Sequence, residues 1–146
     1  MKAAIIFGSR SDIEIMKKAA KVFREFGVAY TAHILSAHRT PELLEKVLEG
    51  LESEGTEVII AGAGLAAHLP GLIAAKTLIP VIGVPVNSGG LGGMDALLSI
   101  AQMPSPIPVA AVGVDNGANA AYLACEILAV KYDEMKKRLG EFRTKM

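Results

Sequence analysis

The chain alternates short apolar segments with segments of helical periodicity, and this alternation constrains its fold more than any other feature. Between the first two apolar segments, for example, Ile13, Met16, Ala20 and Phe23 recur at helical spacing. A strand, a helix and another strand in succession favour parallel pairing, with helices covering both faces of the sheet. We therefore predict an α/β fold, a three-layer αβα sandwich built on a five-stranded parallel sheet. The predicted strands are residues 3–7, 29–35, 58–61, 81–84 and 109–112.

The helix boundaries also carry signals in the sequence. Ser11 followed by Glu14 predicts a capping box at the start of the first helix, and Thr40 predicts the cap of the second. Residues 116–129 and 132–143 have the composition of two further helices, the second of them C-terminal. Since no linker, repeat or low-complexity segment interrupts the pattern, we expect residues 1–146 to form a single domain.

Composition and charge argue against several classes of protein. Fifteen basic residues balance fifteen acidic ones, so no overall field attracts nucleic acid. Every apolar segment is interrupted before it could cross a bilayer, so we expect no membrane partner. The single cysteine, Cys125, cannot form an internal disulfide and lies in an apolar helical segment, which favours a small core residue over a nucleophile. With no signal-peptide pattern after Met1, a cytoplasmic protein is expected.

Polar and flexible residues are concentrated in the turns that follow the first three strands, at the carboxyl ends where open parallel sheets bind ligands. The first turn, residues 8–12, contains Ser9, Ser11 and Asp12 before a helix. Free N–H groups and hydroxyls at a helix start suit a phosphate or a sugar. A simple cap with a first-turn acid explains the same residues.

The next two turns add chemistry and space. His38 can transfer protons near neutral pH and the adjacent Arg39 can bind a phosphate, although a lone loop histidine is more often merely exposed. In the third turn Ala63 and Gly64 leave room for a ligand, with His68 just beyond, but close packing of a helix on the sheet explains the small residues equally well. The remaining histidine lies within the second strand and is interpreted as structural or as an interface residue.

Metal ions and nucleotide cofactors are not indicated by the sequence. The His and Cys positions lack metal-ligand spacing, and neither a P-loop nor a G-x-G-x-x-G motif follows the first strand. The first strand also lacks the terminal acidic pair of a phosphate-accepting receiver domain. We therefore expect a site without cofactor or metal.

Two motifs, S-A-H-R-T-P at 36–41 and A-A-H-L-P-G at 66–71, occur together with G-S-R-S-D at 8–12. In this combination the chain closely resembles the PurE family of purine-biosynthesis enzymes, nearly from end to end. The resemblance implies a flavodoxin-like fold and a homo-octamer with active sites at subunit contacts. Burial of apolar surface in an oligomer would also account for a chain that is 51% hydrophobic and only 5% aromatic.

The resemblance also implies roles for ten residues. His38 would be the general acid and base, Asp12 would bind the ribose hydroxyls and Arg39 the phosphate. The remaining members would line the same pocket: Ser9, Ser11 and Ser36 on the ribose and phosphate side, and Ala63, Gly64, His68 and Leu69 around the imidazole ring and the carboxylate.

The implied reaction moves a carboxylate from the exocyclic nitrogen of a phosphorylated aminoimidazole ribonucleotide to ring carbon C4 through trapped carbon dioxide. One branch of the family is a mutase and the other a direct carboxylase, and residues 66–71 resemble the mutase branch. Leu65 stands where that branch has glycine, and the segment 89–93 is richer in glycine than usual. Direct carboxylation, a domain recruited to another carboxylation and a non-catalytic binding module remain alternatives.

Overall fold

The computed structural model describes residues 1–146 and contains one parallel sheet of five strands. The strands are β1 (Lys2–Phe7), β2 (Ala29–Ile34), β3 (Val58–Gly64), β4 (Val81–Val86) and β5 (Ala110–Ala111). They lie in the order β2-β1-β3-β4-β5, and every neighbouring pair is parallel. This is the flavodoxin-like order, in which the chain reverses direction across the sheet between β1 and β3. The predicted fold is confirmed.

Six α-helices cover the two faces of the sheet, and a 3₁₀ turn, Arg10–Asp12, precedes the first of them. The helices are α1 (Ile13–Phe26), α2 (Pro41–Ser53), α3 (His68–Ala74), α4 (Met94–Ala101), α5 (Gly117–Ala129) and α6 (Asp133–Thr144). Helices α1 and α5 pack on one face with α6 behind α5, whereas α2, α3 and α4 pack on the other. None of these helices has both the length and the apolar character needed to span a membrane.

The core lies on both sides of the central strands. In β1 the side chains of Ala3, Ile5 and Phe7 pack against α1 and α5, and those of Ala4 and Ile6 pack on the opposite face. Because both faces are covered by helices, successive residues of the strand are all apolar. Packing on both faces fixes the position of β1 and therefore of its carboxyl end, where Gly8 begins the first turn.

Cys125 belongs to this core and is inaccessible to solvent. Burial raises the pKa of its thiol to about 12, with the nearby Glu126 carboxylate as a smaller cause. A thiol that stays protonated at neutral pH is a poor nucleophile. The structure thus confirms the interpretation of Cys125 as a small core residue.

The element boundaries differ from the prediction mainly where the chain is rich in glycine and alanine. Strand β3 continues to Gly64 and β4 to Val86, whereas β5 is shorter than predicted, and α3 and α4 were not predicted. The extra residues of β3 and β4 pair with each other, for example Gly64 with Val86. Glycine and alanine carry little strand propensity, and here the pairing with a neighbouring strand overrides it.

Candidate active site

An open cleft of about 400 Å³ lies at the carboxyl ends of β1, β2 and β3. It is formed by the three turns singled out in the sequence, which the strand order brings to the point where the topology reverses. Nine of the ten predicted site residues line this cleft, and Arg39 is the exception. The turns are far apart in the chain, so parallel strand pairing is what assembles them.

The first turn presents two hydroxyls and a carboxylate as one connected group. Ser9 caps the 3₁₀ turn by accepting a hydrogen bond from the Ser11 backbone N–H, at 3.3 Å from nitrogen to oxygen. Ser11 Oγ lies 2.9 Å from Ser9 Oγ and 2.8 Å from Asp12 Oδ1. The predicted capping box of Ser11 and Glu14 is therefore wrong, because Ser9 caps an additional turn before α1 and Ser11 contacts Asp12 instead.

Asp12 is the most buried polar group of the cleft, with only 3% of its surface exposed. Burial raises the pKa of its carboxyl, and the negative charge of Asp115 acts in the same direction. Hydrogen bonds from the Ser11 side chain and the Ser9 backbone stabilise the carboxylate and partly offset this effect. Asp12 consequently takes up a proton at a higher pH than an exposed aspartate.

The second turn is closed by hydrogen bonds between its two ends. The Ser36 backbone N–H donates to Thr40 Oγ1 at 3.1 Å, and the Thr40 N–H donates to the Ser36 carbonyl at 2.9 Å. Thr40 is at the predicted cap position, but its side chain bonds back to Ser36 rather than to the helix. This closed loop directs His38 into the cleft, while Arg39 lies at the rim and reaches the Gly8 carbonyl with Nη2 at 3.4 Å.

His38 and His68 form a direct hydrogen bond across the cleft. His38 Nε2 lies 2.7 Å from His68 Nδ1, and the ring planes are nearly perpendicular at 85°. Between two neutral imidazoles only one of these nitrogens carries the proton, so the tautomer of each ring determines that of the other. The sequence placed both residues at the site but did not predict this contact.

The third turn forms the wall of small residues. The Ala67 N–H donates to the Gly64 carbonyl at 3.0 Å and closes a tight turn around Leu65. Leu65 has φ 55° and Ala67 φ 41°, both in the left-handed region. Leu65, which stands where the mutase branch has glycine, thus adopts a backbone conformation that favours glycine.

Ser88 lines the cleft but was not singled out in the sequence. It lies in the loop after β4, next to the end of β3, and a Cβ added to Gly64 would fall 2.5 Å from Ser88 Oγ. Its position after a neighbouring strand was the signal that could have revealed it. His33 is outside the cleft, with Nε2 3.1 Å from Thr31 Oγ1 on the edge strand β2. No three His, Cys, Asp or Glu side chains are grouped as a metal site would require.

A flavodoxin-like sheet whose topological switch point holds a histidine pair, hydroxyls and a buried carboxylate defines a class, that of α/β proteins acting on a small polar molecule. Comparison with known proteins narrows the class. The model of the AIR carboxylase family matches residues 2–146, which is nearly the whole chain. The chain belongs to this family.

Curated relatives and solved structures agree with that assignment. The chain is 57% identical to the N5-carboxyaminoimidazole ribonucleotide mutase of Pyrococcus abyssi, over 99% of this chain and 83% of the relative. It is 51% identical to the mutase of the same name from Escherichia coli K12, over 97% and 85% of the two chains. The crystal structure of Treponema denticola PurE superposes with a TM-score of 0.90 at 29% identity, covering 99% and 90%.

Proposed function

We propose that this chain converts N5-carboxyaminoimidazole ribonucleotide into the 4-carboxy-5-aminoimidazole ribonucleotide, a step of purine biosynthesis. The observation that supports this most is the lining of the cleft, in which His38 occurs together with the small residues of the third turn and with a connected group of hydroxyls and a carboxylate. The curated relatives carry the mutase name, which favours rearrangement over direct carboxylation.

The first two turns supply the binding groups for the ribose and the phosphate. Asp12 accepts hydrogen bonds from the ribose hydroxyls, and Ser9, Ser11 and Ser36 contribute hydroxyls around it. Arg39 binds the phosphate at the rim, where its guanidinium already lies close to the first turn. The nucleotide therefore lies across the first and second turns, with its base directed toward the third.

The third turn and His38 serve the reaction itself. The bond between the exocyclic nitrogen and the carboxylate carbon breaks, carbon dioxide is released, and the nitrogen gains a proton. Ring carbon C4 then attacks the carbon dioxide to form a C–C bond and loses its own proton, so atoms and charge balance. His38 transfers these protons. Ala63, Gly64, His68 and Leu69 surround the ring and hold the carbon dioxide close to C4.

His68 is a positioning residue for His38, because their hydrogen bond orients the His38 ring and couples its tautomer to that of His68. Replacing His68 with phenylalanine keeps an aromatic ring beside the substrate but removes the nitrogen that bonds to His38 Nε2. We therefore expect kcat to fall roughly 10-fold with little change in KM. Replacing it with asparagine restores a polar partner and is expected to recover part of kcat. Equal losses in the two variants would contradict the positioning role.

The binding role of Asp12 predicts a pH dependence. Burial raises the pKa of Asp12, so the carboxylate that accepts the ribose hydroxyls is lost at a higher pH than for an exposed aspartate. The Kd of the aminoimidazole ribonucleotide, measured by calorimetry without carbon dioxide, is therefore expected to increase as the pH falls through that raised pKa.

The variant Asp12→Asn separates this effect from protonation of the ligand phosphate. It lacks the titrating carboxyl, so it is expected to bind more weakly at neutral pH and to lose the part of the pH dependence that Asp12 causes. The phosphate contributes equally to both proteins. Identical pH profiles for the wild type and Asp12→Asn would show that Asp12 does not bind the ligand in its ionised form.

Turnover of two substrates by the purified protein tests the proposed function. Freshly prepared N5-carboxyaminoimidazole ribonucleotide is supplied in one assay, and aminoimidazole ribonucleotide with carbon dioxide in the other, both without added ATP or metal. Rapid conversion of the first, with the second reacting only at high carbon dioxide, is the expected result. The reverse preference would indicate a direct carboxylase, and conversion of neither would contradict the proposal.

We further propose that residues 1–146 act as one domain in a cytoplasmic homo-octamer. Several large apolar side chains are exposed in the single chain, including Leu43, Leu72, Leu78 and Leu98. Contacts between subunits would remove these side chains from water. A sedimentation mass of eight chains is the expected result, and a monomer would contradict it.

A further inference from the structure

Leu65 combines three properties that do not usually occur together. Its backbone has φ 55°, a conformation that leucine adopts at a cost and glycine adopts freely. In the single chain Leu65 is 56% exposed, so burial within its own subunit does not compensate for that conformation. It also lines the cleft. Strained residues of this kind are concentrated at functional sites.

The surrounding turn prevents Leu65 from relaxing. Gly64 before it packs against Ser88 so closely that no Cβ would fit, and the Ala67 N–H donates to the Gly64 carbonyl at 3.0 Å. A positive φ at the first central residue of such a turn is the arrangement that normally selects glycine. The leucine is therefore held in place by the packing of Gly64 and by the hydrogen bond that closes the turn.

The Leu65 side chain extends to the glycine-rich loop 89–93. A Cβ added to Gly89, which has φ 95°, would lie 2.9 Å from Leu65 Cδ2, so the side chain lies against this bare stretch of backbone. Ser88, just before Gly89, lines the cleft together with Leu65. Leu65 thus connects the third turn with the glycine-rich loop at the opening of the cleft.

We propose that the Leu65 side chain is an apolar cover that retains carbon dioxide in the cleft between its release from nitrogen and its capture by C4. This inference rests on the proposed function. Carbon dioxide is small, neutral and without a net dipole, so the lining residues hold it only weakly, and closure of the opening slows its escape further. An apolar side chain at the rim also excludes water from the reacting atoms.

Exchange of the migrating carbon with the solvent tests this proposal. The purified protein converts unlabelled N5-carboxyaminoimidazole ribonucleotide in ¹³C-bicarbonate buffer, and mass spectrometry at early conversion measures the fraction of product that carries ¹³C. Leu65→Ala and Leu65→Gly are expected to raise this fraction roughly threefold or more, because carbon dioxide escapes more often before capture. Leu91→Ala is the matched control, an exposed leucine of the same glycine-rich loop that does not line the cleft.

The variant Leu65→Gly also distinguishes a covering function of the Leu65 side chain from a contribution to the stability of the fold. Glycine adopts φ 55° without cost, so this variant is expected to unfold at the same or a higher temperature than the wild type while it exchanges more carbon. Unchanged ¹³C incorporation in both Leu65 variants would overturn the proposal, and so would an equal increase in Leu91→Ala. A wild-type protein that does not convert the carbamate would overturn the proposed function as well.

Discussion

Replacing His38 with asparagine is expected to lower kcat about 10³-fold, the range that a positioned general acid and base contributes. Asparagine keeps a polar side chain of similar reach but cannot take up or release a proton near neutral pH. The hydrogen bonds that close the second turn come from Ser36 and Thr40, so the turn and the fold should persist. Steady-state assays on the carbamate and calorimetry with the aminoimidazole ribonucleotide give kcat and Kd separately.

His33→Asn is the matched control for this variant. His33 lies on the edge strand β2, hydrogen-bonded to Thr31 and away from the cleft, so its loss should leave kcat unchanged. If His38→Asn retained most of the wild-type kcat, His38 would not be the proton-transfer group. A large increase in Kd with unchanged kcat would instead assign His38 to substrate binding.

The architecture was predictable from the sequence because both faces of the sheet are covered. A strand that is buried on both faces has a continuous apolar sequence, as in Ala3 to Phe7. Such a segment can be recognised without any knowledge of the fold. The short helices α3 and α4 lack this kind of signal. They are only seven and eight residues long, too short to show a helical repeat clearly.

The site was predictable as a set of residues but not as a geometry. Polar or small residues marked each turn at a strand end as part of a site. Nine of the ten predicted residues line one cleft. The contact between His38 and His68 was not predictable, since it depends on how β2 and β3 are placed around β1. Ser88 was missed because a serine among glycines is typical of any loop, and its position after β4 was the only signal in the sequence. Its close approach to Gly64 depends on the pairing of β3 with β4.

In the third turn, the backbone conformation that packing imposes differs from the one that leucine and alanine prefer. Leucine in the left-handed region costs on the order of 1 kcal/mol, and Leu65 and Ala67 both adopt it within three residues. Gly64 explains why the turn keeps this path. It carries no side chain, pairs with Val86 and lies directly against Ser88. Tight packing at Gly64 thus determines the conformation of the residues that follow.

Replacing Gly64 with alanine is therefore expected to have the second large effect. The added Cβ would lie 2.5 Å from Ser88 Oγ, 2.7 Å from Ser88 Cβ and 3.1 Å from the Val86 carbonyl oxygen, so Ser88 or the turn must move. We expect a loss of about 1–3 kcal/mol in the free energy of unfolding. A displacement of about 1 Å at the cleft wall should lower kcat/KM by roughly 10²-fold. Denaturant unfolding and steady-state kinetics measure the two effects.

Two further variants show whether contact with Ser88 causes the losses of stability and activity in Gly64→Ala. Gly50→Ala, in the last turn of α2 with no atom within 4 Å of the added Cβ, should keep full activity and gain up to about 1 kcal/mol of stability. Ser88→Gly removes two of the three close atoms, so the double variant Gly64→Ala with Ser88→Gly should recover part of the lost stability. If the losses in the free energy of unfolding are additive in this double-mutant cycle, the third turn does not depend on the contact between Gly64 and Ser88. If the double variant loses less than the sum of the two single variants, this close approach positions the third turn at the cleft.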